Sequence, residues 1–174
     1  FGREAQAAGK LNHPNIVGVY GMGLKDGVPY FSMELVEGET LASLLARLRQ
    51  AAPDAQTPFG QRGTALYFAQ LAERFAEGAD GLHHAHVRGV VHRDIKPSNL
   101  ILERTVSGST GRLRILDFGL ARLEGQEAIT HSGDIVGTPQ YMSPEQARRQ
   151  KVELDHRTDI WSVGATLYEA ILLK

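Results

Sequence analysis

The chain has 174 residues, 42% of them hydrophobic and 22% charged, and carries a formal net charge of −1. That is enough chain for one sizeable core or a large piece of one, and the charge balance argues against a strongly basic nucleic-acid binder or a binder of anionic membranes. With no cysteine there is neither a disulfide framework nor a thiolate zinc site, and the composition fits a reducing compartment.

The opening "FGREAQAAGK" has no apolar core segment and no initiator Met, so it does not read as a secretory signal. "GREAQAAGKL" reads as a helix rich in Ala, Glu, Gln and Lys, stopped by the Asn-His-Pro-Asn turn at 12–15. "IVGVYGMGL" and "VPYFSMELV" are β-branched and aromatic runs separated by Lys25-Asp26-Gly27, where Asp-Gly signals a hairpin. "ETLASLLARLRQ" is an amphipathic helix with leucines at 41, 44, 45 and 48, a stripe too short for a zipper and suited to a core. "AAPDAQTPFGQRG" then reads as a surface insertion.

A long helix is expected from about Ala65 to Val87, marked by Leu66, Ala69, Ala72, Phe75, Ala76, Ala79 and Leu82. "NLILE" and "RLRILD" read as two short strands around a Ser/Gly-rich turn, and residues 120–137 hold few apolar groups and are expected to be mobile. "SPEQARRQ" starts a helix after Pro144, and "DIWSVGATLYEAILL" closes the chain. That last run is shorter than the roughly 20 residues of a membrane span and is interrupted by Glu169, so it reads as a helix buried in a soluble domain. Both ends look cut, and the expectation is a fragment.

Between the long helix and the strands lies "GVVHRDIKPSNLIL", residues 89–102, where Arg93, Asp94, Lys96 and Asn99 sit between apolar anchors. A buried strand should not carry an Arg-Asp pair, and a solvated loop should not be clamped by Val90, Val91, Leu100 and Ile101. A polar loop held rigidly at the edge of a core satisfies both, and chemistry favours such loops.

From His92 to Asn99 the pattern is H-R-D-x-K-x-x-N, and after a short hairpin comes Asp117-Phe118-Gly119, followed by "GTPQYMSPE". In that order these motifs resemble the catalytic core of a eukaryotic-type serine/threonine protein kinase, with "GDIVGTPQYMSPEQA" and "HRTDIWSVGATLYE" most similar to bacterial members. The resemblance implies an α+β fold of the protein kinase type: residues 1–36 as the remainder of the small lobe and the hinge, 37–174 as most of the mainly helical large lobe. It implies transfer of the ATP γ-phosphoryl group to Ser or Thr of protein substrates, with ATP and Mg2+ as cofactors. The partners it implies are a protein substrate and a second copy for autophosphorylation, with no nucleic acid, and the domain would lie in the cytoplasm.

Residue by residue, Asp94 matches the catalytic base, with Lys96 beside it, and Asn99 and Asp117 match the magnesium ligands. The chemistry agrees, since magnesium takes oxygen ligands and usually only one or two carboxylates, leaving Asp94 to orient a hydroxyl and Lys96 to balance charge on the transferring group. Met33 fits the gatekeeper and Glu34 to Val36 the hinge that binds adenine through its backbone, with Ile101 among the nucleotide contacts. Val19, Ala8, His92 and Phe118 match the regulatory spine. Asp159 resembles the Asp that holds the catalytic-loop backbone, against the plainer reading of a helix cap. Glu4 matches the glutamate that pairs with the ATP-binding lysine.

The resemblance also implies regulatory roles for Arg93, Thr130, Ser132 and Thr138, with Thr130 and Ser132 as autophosphorylation sites and Arg93 as the grip for a phosphorylated loop. Ser143 stands where the family pattern has Ala. The Gly-rich loop and its lysine are expected upstream of Phe1, because "GMGLKDG" lacks their spacing and Lys25 follows the glutamate match. Histidines 83, 84 and 86 have no carboxylate partner at ligand spacing and read as ordinary helix residues rather than a zinc site.

Overall fold

Residues 11–104, 110–118, 139–148 and 154–173 are described by the computed structural model of the chain. The first elements are β1 (Val19–Lys25) and β2 (Val28–Met33), an antiparallel hairpin in which Lys25 faces Val28 across Asp26 and Gly27. Both turn residues have positive φ, 53° and 79°, the backbone that a two-residue hairpin turn matched to strand twist demands and that Asp-Gly supplies cheaply.

β3 (Gly38–Thr40), β6 (Leu100–Arg104) and β7 (Thr110–Ile115) form a second antiparallel sheet in the order β3-β6-β7. Glycine is required on both sides of β6, where the strands approach closely. A Cβ on Gly38 would lie 2.2 Å from the carbonyl oxygen of Leu102, and one on Gly111 2.2 Å from that of Glu103.

α1 (Leu41–Gln50) starts where Thr40 Oγ1 accepts from Ser43 N at 3.2 Å, and it buries Leu41, Leu44, Leu45 and Leu48 as the leucine spacing predicts. The following segment departs from the surface insertion expected of it. β4 (Gln56–Thr57) and β5 (Gly60–Gln61) make a small hairpin that drives Phe59 into the core, 1% exposed, edge-on to Tyr67 with ring centroids 5.9 Å apart. Thr57 Oγ1 accepts from Phe59 N and donates to Gly60 O, which sets the bend.

α2 (Ala65–His86) is capped by Thr64 and lies where expected, and of the residues expected to mark its packed face Phe75 and Leu82 are buried. Tyr67, Leu71, Phe75, Leu82 and Ala85 are buried, whereas Leu66 is exposed along with Ala69, Ala72, Ala76 and Ala79. The alanines misled because they are helix formers that need no burial. Gly78 and Gly81, by contrast, mark the packed side, where a Cβ would meet Leu113 at 3.0 Å and Asn15 at 3.2 Å.

α3 (Pro144–Ala147) and α4 (Arg157–Leu172) complete the described chain. α4 buries a polar stripe of Thr158, Asp159, Ser162 and Thr166, while Ile160, Trp161 and Tyr168 are exposed among the described residues. No helix of the described residues is long and apolar enough to cross a membrane.

Candidate active site

The loop from His92 to Asn99 joins α2 to β6, and apolar anchors on both sides fix its path. Val90, Ile95, Leu100 and Ile101 are all buried, and Pro97–Asn99 form one 3-10 turn, so Asn99 belongs to that turn and not to the strand the sequence suggested. Two non-glycine residues have left-handed backbone here, Arg93 at φ 69° and Asp117 at φ 62°. Such conformations cost on the order of 1–3 kcal/mol and persist only where the surroundings over-determine them.

The surroundings do so. Asp159, fully buried near the start of α4, accepts from His92 N at 2.8 Å through Oδ2 and from Arg93 N at 2.7 Å through Oδ1. Oδ2 also meets His86 Nε2 at 2.7 Å. Asp159 is therefore not the cap of its own helix, whose N-cap position is His156. It ties down a loop more than sixty residues upstream.

From α3, Gln146 Nε2 donates to Arg93 O at 2.8 Å. Gln146 is itself locked with Ser143 in a reciprocal capping box, so the Ser standing in place of the family's Ala has a structural role. Glu145 lies below the usual carboxylate range, held there by its own backbone N–H and by the Ser143 and Thr158 hydroxyls.

His92 has its tautomer set by its neighbours. Asp94 N donates to Nδ1 at 3.2 Å, so Nδ1 is an acceptor and the proton is on Nε2, which donates to Leu116 O at 2.7 Å. That bond ties the loop to the residue before Asp117. Leu116 N in turn donates to Asn99 O at 2.9 Å, and the Phe118 ring stands edge-on to His92 at 4.8 Å.

Inside this frame the polar side chains meet. Lys96 Nζ lies 2.8 Å from Asp94 Oδ2, and Asn99 Nδ2 donates to Asp94 O at 2.8 Å and to Asp94 Oδ2 at 3.1 Å. Both side-chain contacts converge on Oδ2, and no side chain of the described residues is bonded to Oδ1 of Asp94. The NH2 group of Asn99 is thereby engaged, and its Oδ1 accepts from the Ser98 hydroxyl at 3.5 Å. One amide oxygen and one carboxylate, Asp117, suit a hard divalent cation that shares its remaining positions with phosphate and water.

On the Lys96 side a cavity of about 650 Å3 opens, lined by Lys96, Ser98, Gln140, Tyr141, Tyr168 and Glu169 among others. Glu169 is bonded by both Arg49 and Tyr141. Burial, followed by Glu169, raises the Tyr141 phenol above its ordinary value.

Of the hinge and nucleotide positions, Glu34 follows β2 directly, Val36 lies just beyond it, and Ile101 sits in β6 opposite Thr40 and Arg114. The Glu34 side chain is committed to Arg114, whose guanidinium holds its carboxyl below the usual range. Arg114, Gln146 and His86 were not singled out for these contacts from the sequence. The signal for Arg114 was a charge in the middle of an apolar strand. Glu4 and Ala8, together with Thr130, Ser132 and Thr138, lie outside the described residues.

The family model described as "Protein kinase domain" matches residues 1–174. A probable serine/threonine-protein kinase of Streptomyces coelicolor is 38% identical over 181 residues, covering 100% of this chain and 24% of the relative. Serine/threonine-protein kinase pkn3 of Myxococcus xanthus is 36% identical over 97% of this chain and 28% of its own length, and PknB of Mycobacterium tuberculosis 34% over 98% and 25%. The chain thus spans about a quarter of the length of these relatives. Among solved structures, the PknI kinase domain of Mycobacterium tuberculosis superposes with a TM-score of 0.70 at 26% identity, covering 98% of this chain and 55% of that one.

Proposed function

The chain belongs to the protein kinase domain family, and from that premise we propose that the whole protein transfers the γ-phosphoryl group of ATP to serine or threonine hydroxyls of protein substrates. The observation that carries the reading is the cluster of Asp94, Lys96 and Asn99, held from outside the loop by Asp159 and Gln146. Residues 1–36 would serve as small-lobe remainder and hinge and 37–174 as large lobe, in a domain working in the cytoplasm.

Asp94 Oδ1 accepts the proton of the substrate hydroxyl as it attacks. Lys96, 2.8 Å from the other carboxylate oxygen, places a positive charge beside the transferring group. Asn99 and Asp117 would hold magnesium, which when bound neutralises charge on the β- and γ-phosphates. The buried frame around them keeps the four groups from relaxing, and positioning supplies much of the rate in this chemistry. The main chain of 34–36 would receive the purine. Thr130 and Ser132 are proposed as autophosphorylation sites, with Arg93 gripping the product.

The test is transfer of labelled phosphate from ATP to a generic protein substrate by the full-length protein, wild type and Asp94→Asn. Transfer by the wild type that Asp94→Asn abolishes supports the reading. A wild type that neither binds nor turns over ATP overturns it in favour of a docking scaffold.

A further inference from the structure

Arg114 stands near the end of β7 between buried Leu113 and Ile115, and is itself only 8% exposed. A guanidinium does not shed its charge in a protein, so burial there must be offset by acceptors in good geometry. The acceptors are specific. Glu34 takes both prongs, Nη1 to Oε1 and Nη2 to Oε2, each at 2.6 Å. Nη1 also meets Glu103 Oε1 at 3.0 Å, and Nη2 donates to the main-chain oxygen of Ile16 at 2.9 Å.

The elements so joined are not neighbours in the sheet. The segment 15–18 lies between them. Ile115 N donates to Asn15 O at 2.8 Å and Val17 N to Ile115 O at 2.9 Å on one side, and Glu34 N donates to Gly18 O at 2.9 Å on the other. Arg114 is the side chain that spans this segment, touching it at Ile16 on the way. Beyond Glu34 the next main-chain tether is Arg104 N to Glu37 O at 2.8 Å. Between these two anchors, Leu35 and Val36 make no main-chain hydrogen bond among the described residues, so their N–H and C=O groups remain available to a ligand. Three residues after Arg114, β7 has delivered Asp117 to the other end of the site.

We propose that Arg114 is a positioning residue for the nucleotide: it ties the purine-receiving main chain at 34–36 to the strand that leads into Asp117, so that both ends of the ligand's site belong to one rigid body. The proposal rests on the kinase reading above. A two-pronged bond from a planar group fixes orientation as well as distance, which a lysine at the same place would not do.

The full-length protein is tested as wild type, Arg114→Gln, Arg114→Lys, Glu34→Gln and Glu103→Gln, with ATP and protein substrate varied separately and a thermal melt for each. Arg114→Gln and Glu34→Gln are expected to raise KM for ATP about tenfold while kcat falls by less than about threefold and KM for the protein substrate stays put. Arg114→Lys, which keeps charge but not the fork, is expected to fall between. Glu103→Gln leaves the two-pronged bond intact and should keep KM for ATP within about twofold. If Arg114→Gln does not fold, Arg114→Lys and Glu34→Gln decide alone. A purely structural role would lower the melting temperature and leave KM for ATP within about twofold in both, and that result overturns the proposal. A wild type without ATP turnover removes the kinase reading itself, whereas wild-type turnover with unchanged KM in the variants removes only the role of Arg114.

Discussion

The His92–Asn99 loop and the β1–β2 hairpin are both short polar bends between apolar runs, yet they are held by different means. The hairpin is built locally, by a two-residue turn and a ladder to the adjacent strand, and it leaves Tyr20 75%, Leu24 61%, Val28 65% and Tyr30 52% exposed. The loop takes its shape from side chains on α3 and α4, fifty to seventy residues away, with a buried carboxylate at the centre. A turn can be specified by the residues that form it. A strained loop backbone needs distant acceptors that exist only once the rest has folded.

Substitutions sharpen that contrast. Asp159→Ala leaves the N–H groups of His92 and Arg93 buried without their acceptor, and is expected to cost about 3–5 kcal/mol of stability and most of the transfer activity of the full-length protein. Denaturant melts and a transfer assay check it, and a variant as active as wild type would break the comparison. Asp94→Asn should cut kcat by about 10²–10⁴-fold while leaving stability and nucleotide affinity nearly unchanged, since it removes a base and no anchor of the fold. Calorimetric titration with MgATP beside steady-state kinetics separates the two.

The hairpin should be far more forgiving. Gly27→Val forces a β-branched residue to φ 79° and is expected to cost about 1 kcal/mol, with activity retained. Tyr30→Thr, on an exposed strand position, should shift stability by less than about 0.5 kcal/mol. A loss like that of Asp159→Ala at either place would show that the hairpin is as constrained as the loop.

A local pair on the surface gives the smallest effect. The side-chain bond from Arg157, with its backbone N–H, lowers the Asp155 carboxyl from 3.8 to about 2. A depressed carboxyl contributes stability that is present above its unfolded value and fades as pH falls through the folded one. The difference between wild type and Asp155→Asn should therefore be level above 3.8 and vanish towards pH 2 in a series of melts.

What could be read from the sequence follows the same division. Leucine spacing in α1, the Asp-Gly turn and the ordered run of short motifs were legible, because each depends on residues close in the chain. In α2 Phe75 and Leu82 mark the packed face, but the alanines only mimic an apolar stripe, and the burial of Tyr67 depends on Phe59 from a segment that looks like a surface loop. α4 looked like a helix sunk by its apolar residues, yet it buries Thr158, Ser162 and Thr166, whose hydroxyls bond to Glu145, Tyr141 and the preceding turn. Arg114 was invisible as a clamp because its partner Glu34 is eighty residues away. Polar burial of this kind is decided by tertiary partners and leaves no periodic trace.

The distance between Asp159 and the loop it holds also has a consequence in time. The ribosome adds roughly 5–20 residues per second, so a gap of 67 residues means that Asp159 is made some 3–13 seconds after His92. For most of that interval the nascent chain already contains Asp94, Lys96 and Asn99 but lacks the carboxylate that fixes their backbone. The polypeptide therefore gains the fixed backbone of this loop only after α4 has been made and has docked.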